Sequence, residues 1–313
     1  MISQDNEKRY ISKYIFTGNL YKKYRTYASY LNTLNITKDT KEWRLKHIRG
    51  FLYYLEENNI KLKNLKPQDV YNYMKSILNL KARTREHRAI CIRFFLNWLN
   101  DNKIISYNGS TILPKIKCNK HENIVTYYSD EEITKILNSI NAKEINGKRD
   151  LAILLLFVRF GLRQRDIMML KLEDIKWNDN KIIIVQCKNK IINNYPMTEE
   201  IRYALLDYLK NERPESSLSY VFLKDSNNIY NDHFYYNLVN KYLKKANIVL
   251  TNKHHGTNIF RHSIATSIIN DGYSIYVVSS ILGHKNINEA MTYAKVDIKN
   301  LKKISLEVPL WEN

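Results

Sequence analysis

Apolar side chains recur every three to four residues through most of the first hundred positions, the spacing that gives a helix one buried face. Tyr21, Tyr24, Tyr27, Ala28 and Leu31 mark one such face, and Trp43, Ile48, Phe51, Leu52 and Leu55 mark a second. Pro67 opens a third helix through Val70, Met74 and Ile77. Its missing N–H does no harm in a first helical turn. Thr84 to Leu99 reads as a long fourth helix, with Ile90, Phe94, Phe95 and Trp98 on its apolar side and Arg85, Arg88 and Arg93 opposite. The pattern predicts an all-α N-terminal domain over residues 1–106.

Periodicity then lapses. Residues 107–123 include Gly109, Ser110 and Pro114 and read as a linker. Ser129-Asp130-Glu131-Glu132 ahead of Ile133, Ile136 and Leu137 is a capping box, so a helix starts there. The apolar run Leu151 to Phe160 predicts a buried helix that ends at Gly161 in a left-handed cap, and a short helix follows over Arg165 to Leu170. The period next drops toward two. Ile175–Trp177, Lys181–Gln186 and Ile191–Tyr195 read as strands, with turns at Asn178–Asn180 and Lys188–Lys190. Thr198-Glu199-Glu200 starts another helix, and from about Asp232 the chain reads as helical again, punctuated by Gly256, Gly272 and Gly283. The expected fold is mainly α: the all-α domain, then an α+β domain over residues 124–313 with a small three-stranded antiparallel sheet.

Charge adds a partner to this picture. The 313 residues carry 50 Lys and Arg against 31 Asp and Glu, a formal net charge of +19. Residues 1–105 hold 21 basic and 9 acidic side chains, so the helical third carries most of the surplus. Such a surplus on a folded chain favours a polyanion, most commonly nucleic acid, bound in a salt-dependent way. The longest unbroken apolar run, Leu151 to Val158, is far shorter than the roughly 20 residues of a membrane helix. Cys91, Cys118 and Cys187 have neither disulfide-scaffold nor zinc spacing. The expectation is a cytoplasmic protein without metal, cofactor or membrane partner.

Groups suited to chemistry cluster in four stretches of the second domain: Gly161-Leu162-Arg163-Gln164-Arg165-Asp166; Val185-Gln186-Cys187-Lys188-Asn189-Lys190; Asn258-Ile259-Phe260-Arg261-His262-Ser263-Ile264-Ala265-Thr266; and Leu282-Gly283-His284, with Tyr293 nine residues on. In order and spacing they resemble the tyrosine recombinases, the phage-integrase and Xer-like group, over about residues 20–300. The resemblance implies a catalytic set of Arg163, Lys188 (with Lys190 as its alternative), Arg261, His284 and the nucleophile Tyr293, with Asp166 in support. It departs from the family pattern at Asn258, where a histidine or lysine is usual. Asparagine donates a hydrogen bond but does not carry charge or shuttle a proton near neutrality, so His254 and His255 come into view as substitutes.

The residue types suit phosphodiester chemistry. Two guanidinium forks neutralise the non-bridging oxygens, as arginine stays charged at every relevant pH. A phenol attacks phosphorus and conserves the bond energy as a phosphotyrosine, so ATP is not required. A lysine supplies the leaving 5′ oxygen with a proton. The resemblance further implies double-stranded DNA carrying specific sites, four protomers on two duplexes, a partner recombinase or accessory factor in some systems, and DNA contacts from Arg83, Thr84, Arg85, Arg88 and Arg93. By the same analogy Leu301, Ile304, Leu306 and Leu310 form a tail that docks on a neighbouring subunit. The short stretch before the first helix leaves no room for an arm-binding domain, which favours a Xer-like resolvase or simple integrase. A topoisomerase-like relaxer and a catalytically weakened DNA-binding accessory protein stand as alternatives.

Overall fold

The helical spacing of the first hundred residues is realised as α1 (Gly18–Thr33), α2 (Lys38–Glu57), α3 (Pro67–Ser76), α4 (Ala82–Asp101) and the short α5 (Gly109–Ile112). The computed structural model describes residues 17–113, 126–249 and 256–293. The chain divides into two units, Met1–Lys120 and His121–Asn313. In the first, Tyr27, Leu31, Phe51, Leu52, Tyr73, Phe95 and Leu99 close one core. The Tyr27 and Phe95 rings meet edge to face with centroids 5.0 Å apart, the favoured aromatic geometry.

Helix α4 sits differently from its expected orientation. Its buried stripe is Ala89, Cys91, Ile92, Phe95, Leu96, Trp98 and Leu99. Phe94 is exposed, with the Arg44 guanidinium 4.0 Å over its ring. Arg88 donates to the Tyr73 hydroxyl (2.8 Å) and Arg93 to the Leu113 carbonyl (2.6 Å). Both arginines flank the stripe, close enough for their long side chains to satisfy neighbouring helices. Arg83 is exposed, 3.8 Å from Glu86, and Thr84 and Arg85 are partly covered.

The start of the expected linker also packs on the first unit. Asn108 caps α5 by accepting the Ser110 N–H (2.7 Å), the Tyr107 hydroxyl donates to Leu65, and Ile112 and Leu113 are buried. The rest of the linker, residues 114–123, lies outside the described residues, as do His254, His255 and the apolar positions of the tail.

The second unit is built around α7 (Gly147–Phe160), buried along nearly its whole length. Packed with it are α6 (Asp130–Asn138), α8 (Gln164–Met168), α9 (Glu199–Asn211), α10 (Asp232–Lys245) and α11 (Asn258–Asn270), followed by α12 (Ile275–Ile281) and α13 (Ile287–Ala290). The capping box starts α6 as its sequence requires: Glu132 N–H donates to Ser129 Oγ, and Ser129 N–H to Glu132 Oε2. Strands β1 (Ile175–Lys176), β2 (Lys181–Val185) and β3 (Ile192–Pro196) form an antiparallel sheet in chain order, with Ile182 opposite Tyr195 and Ile184 opposite Asn193. A second hairpin, β4 (Leu223–Asp225) with β5 (Asn228–Ile229), was not expected. Strands of three and two residues are too short to show a period.

A buried polar network ties α7 to α10. Asp150, fully buried, binds Arg149 at 2.6 Å, Lys241 Nζ at 3.0 Å and the Tyr242 hydroxyl at 2.9 Å. Removing one member of such a set strands the others' charges in the interior. Asp150→Ala is therefore expected to cost about 3–5 kcal/mol, seen as a lower urea midpoint with unchanged slope.

Candidate active site

Gly161 (φ +59°) turns the chain out of α7, and Arg163 is the residue from which α8 starts. A Cβ at Gly161 would meet the Arg261 Cα, Ile264 Cδ1 and Leu282 Cδ2 at 3.2 Å, so glycine permits both the turn and the approach of α11. Arg163 Nη1 donates to Gln186 Oε1, and its Nη2 stands 3.7 Å from Glu289.

Arg261, one turn into α11, is buried. Its guanidinium donates to the Gly161 carbonyl at 3.1 Å and to the Leu282 carbonyl at 2.5 Å. The Leu282 carbonyl also accepts from Gln186 Nε2 at 2.9 Å. Gln186 thus joins the two arginines, holding Arg163 with its oxygen and sharing an acceptor with Arg261. Burial, reinforced by the nearby Arg163 charge, lowers the Arg261 pKa to about 10, which still leaves it charged near neutrality.

The Leu282-Gly283-His284 turn is shaped by the same glutamine. Gly283 has φ +61°, and a Cβ there would lie 2.2 Å from Gln186 Nε2 and 2.7 Å from Asn193 Oδ1. Only glycine accommodates both. His284 follows, half-buried, with its ring 9° from parallel to that of Tyr293 and centroids 6.4 Å apart. Burial first, then the Arg261 charge, pushes its imidazole down to about 4, so it is neutral at neutral pH.

Tyr293 is buried with Ala265, Ile269, Val278, Leu282 and Ala290. Its hydroxyl lies 2.9 Å from His262 Nδ1. Burial raises the phenol above its usual range, while the Arg261 and Arg163 charges pull it down.

Lys188 is exposed in the turn between β2 and β3. Its charge helps to lower the His284 pKa, whereas that of Lys190 acts on Cys187. Lys190, two residues on in the same turn, is exposed as well. Two contacts hold this turn: Asn189 Nδ2 donates to the Gly283 carbonyl (2.9 Å), and the Cys187 N–H donates to Asp166 Oδ1 (2.8 Å). Asp166 thereby steadies the backbone beside Lys188. Asn258 is exposed at the first residue of α11, one turn before Arg261, with no described hydrogen bond to Arg163, Arg261 or Tyr293.

Arg163, Arg261, His284 and Tyr293 are therefore gathered in one place, with Lys188 at its edge. Two residues to which the sequence assigned no role, Gln186 and His262, belong to the same set. Gln186 had a signal: it extends the inward-facing series Ile182, Ile184 and is polar. His262 had none, because its partner lies 31 residues away. Among the described residues no group of three or more His, Cys, Asp or Glu side chains is placed to hold a metal ion, and no helix is long and apolar enough to cross a membrane.

This arrangement has a family. The phage integrase family profile matches residues 127–300, and the chain belongs to that family. Among its relatives, the tyrosine recombinase XerC of Caldanaerobacter subterraneus is 32% identical over 212 residues, covering 66% of this chain and 57% of that protein. The tyrosine recombinase XerA of Pyrococcus horikoshii is 28% identical over 178 residues, covering 56% of this chain and 58% of that protein. The chain thus matches a little over half the length of each. The fold is similar to that of the XerH site-specific recombinase crystallised on a palindromic difH substrate in a post-cleavage complex, with a TM-score of 0.72 at 19% identity over 84% of this chain and 78% of that one.

Proposed function

We propose that this protein is a site-specific DNA recombinase that cleaves and rejoins duplex DNA through a 3′-phosphotyrosyl bond at Tyr293. The observation that carries the proposal is one connected set: Gln186 holds Arg163 and the Leu282 carbonyl, that carbonyl also accepts from Arg261, and Leu282 packs in one cluster with the buried Tyr293. Attack on a phosphodiester loads negative charge onto its non-bridging oxygens, and fixed cations aimed at them stabilise that charge most where it develops. Arg261 is locked by two carbonyls and Arg163 by Gln186, so little reorganisation is needed at the moment of reaction.

Lys188 protonates the departing 5′ oxygen from the exposed turn, and neutral His284 donates a hydrogen bond to the phosphate. Asp166 and Asn189 position that turn. The crystallised relative on its difH substrate and the basic first unit support double-stranded DNA as the partner. Four protomers on two duplexes, exchanging one pair of strands at a time, is the assembly we infer. Arg83, Thr84 and Arg85 are the contacts of α4 to test first, since Arg88 and Arg93 are held by hydrogen bonds of 2.8 and 2.6 Å within the unit, whereas Arg83 makes a loose, exposed ion pair at 3.8 Å.

A duplex nicked near the scissile position loses its short fragment after cleavage and traps the covalent adduct. Wild-type protein is expected to form a detergent-resistant adduct on such duplexes drawn from a random-sequence pool. Absence of any adduct, with duplex binding intact, would favour an accessory DNA-binding role. Relaxation of plasmids of any sequence would favour a topoisomerase-like role.

Gln186→Leu offers a narrower test. Leucine fills the volume but leaves Arg163 unheld and the Leu282 carbonyl with one donor fewer. Misplacement by an ångström costs about 10²-fold in such reactions, so adduct formation is expected to slow by about that factor while DNA affinity is unchanged.

A further inference from the structure

The Tyr293 phenol must lose its proton as it attacks, and its burial makes spontaneous loss near neutrality harder. The position at which the family pattern supplies a histidine or lysine is Asn258, exposed and without a described contact to the tyrosine. His284 lies parallel to the tyrosine ring, with no described hydrogen bond to its hydroxyl. One imidazole nitrogen does touch the reacting oxygen: His262 Nδ1, at 2.9 Å. That distance is within reach for direct proton transfer.

Resting on the recombinase reading above, we propose that His262 is the general base of strand cleavage. As the Tyr293 oxygen bonds to phosphorus, its proton passes to His262 Nδ1, the bond from phosphorus to the 5′ oxygen breaks, and Lys188 gives that oxygen a proton. In rejoining, the 5′ hydroxyl returns its proton to Lys188, and His262 reprotonates the departing tyrosine. Charge is balanced in both directions without another reactant. To accept, Nδ1 must be unprotonated, with the imidazole proton on Nε2. His262 sits next to Arg261 in α11, so the helix that aims the phosphate clamp also aims the base. Among the described residues, Arg163, Arg261, Glu289 and His284 are the other charged or titratable groups that act on the phenol or face its ring.

The alternative is that His262 merely fills space against Tyr293 until DNA binds. The two roles differ in what pH and leaving group do to the rate. The probe is the nicked duplex on which wild-type protein forms its adduct, used in single turnover, in parallel with one bearing sulfur in place of the bridging 5′ oxygen. A 5′-thiolate leaves without being protonated.

His262→Asn is expected to slow adduct formation by about 10²–10⁴-fold, the usual worth of a positioned general base. It should also abolish the acidic limb of the pH–rate profile, and its defect should persist on the sulfur-bridged duplex. The Lys188→Ala defect, by contrast, should disappear on that duplex. Free imidazole should restore part of the rate to His262→Ala. A His262→Asn protein with wild-type rate and an intact acidic limb overturns the proposal, as does a defect cured by the 5′ sulfur. A wild-type profile lacking an acidic limb overturns it without any variant. In each of those cases wild-type adduct still forms, so the recombinase reading survives; if wild type forms none, both fall together.

Discussion

Tyr293→Phe is expected to abolish covalent attachment to DNA completely while leaving duplex binding within about fivefold of wild type, since one hydroxyl bond contributes only about 1 kcal/mol. The substitution removes a single oxygen. The ring still fills its cluster with Ala265, Ile269, Val278, Leu282 and Ala290, and the hydroxyl's hydrogen bond with His262 is what disappears. Folding stability should therefore fall by about 1 kcal/mol or less. Detergent-resistant adduct and a thermal melt, measured on the same preparation, read both halves of this expectation. A variant that melts with wild type yet forms no adduct separates chemistry from folding.

Arg261→Ala is expected to lower the cleavage rate by about 10²–10³-fold, the range seen when one preorganised donor is taken from a developing oxyanion. It also removes a donor to the Gly161 carbonyl and one of the two donors to the Leu282 carbonyl, so the turns that present Arg163 and His284 lose a shared anchor. Arg261→Lys should recover little, because one ammonium does not reproduce a planar fork that spans two carbonyls and still faces a phosphate. A duplex whose scissile phosphate is a methylphosphonate, in which a methyl group replaces one non-bridging oxygen and the linkage is uncharged, is expected to restore activity to Arg261→Ala selectively. Single-turnover rates on the two duplexes check this, with no comparable gain for Tyr293→Phe.

Much of this site is legible in the chain because its parts are local. Gly161 with Arg163, Arg261 within its helix, and Gly283 with His284 are each a short turn or helix start whose backbone demands are written in adjacent residues. The helices of the first unit follow in the same way from apolar spacing. What escaped depends on long-range packing. Arg88 and Arg93 look like members of an open basic face until Tyr73 and Leu113 are brought beside them. Phe94 looks like core until Arg44 covers it from outside. Periodicity assigns a side chain to one half of a helix, and which residues become its edges is decided by the neighbours. Gln186 and His262 belong to the same class, since each acquires its role from partners 20 to 100 residues away.

Everything turns on which atom of the protein receives the phosphate. Trapped adduct digested with protease and nuclease, then sequenced by mass spectrometry, answers that directly. The expected result is one nucleotide remnant linked through its 3′ phosphate to the phenolic oxygen of Tyr293. A remnant on any other residue, or linkage through a 5′ phosphate, would contradict that assignment.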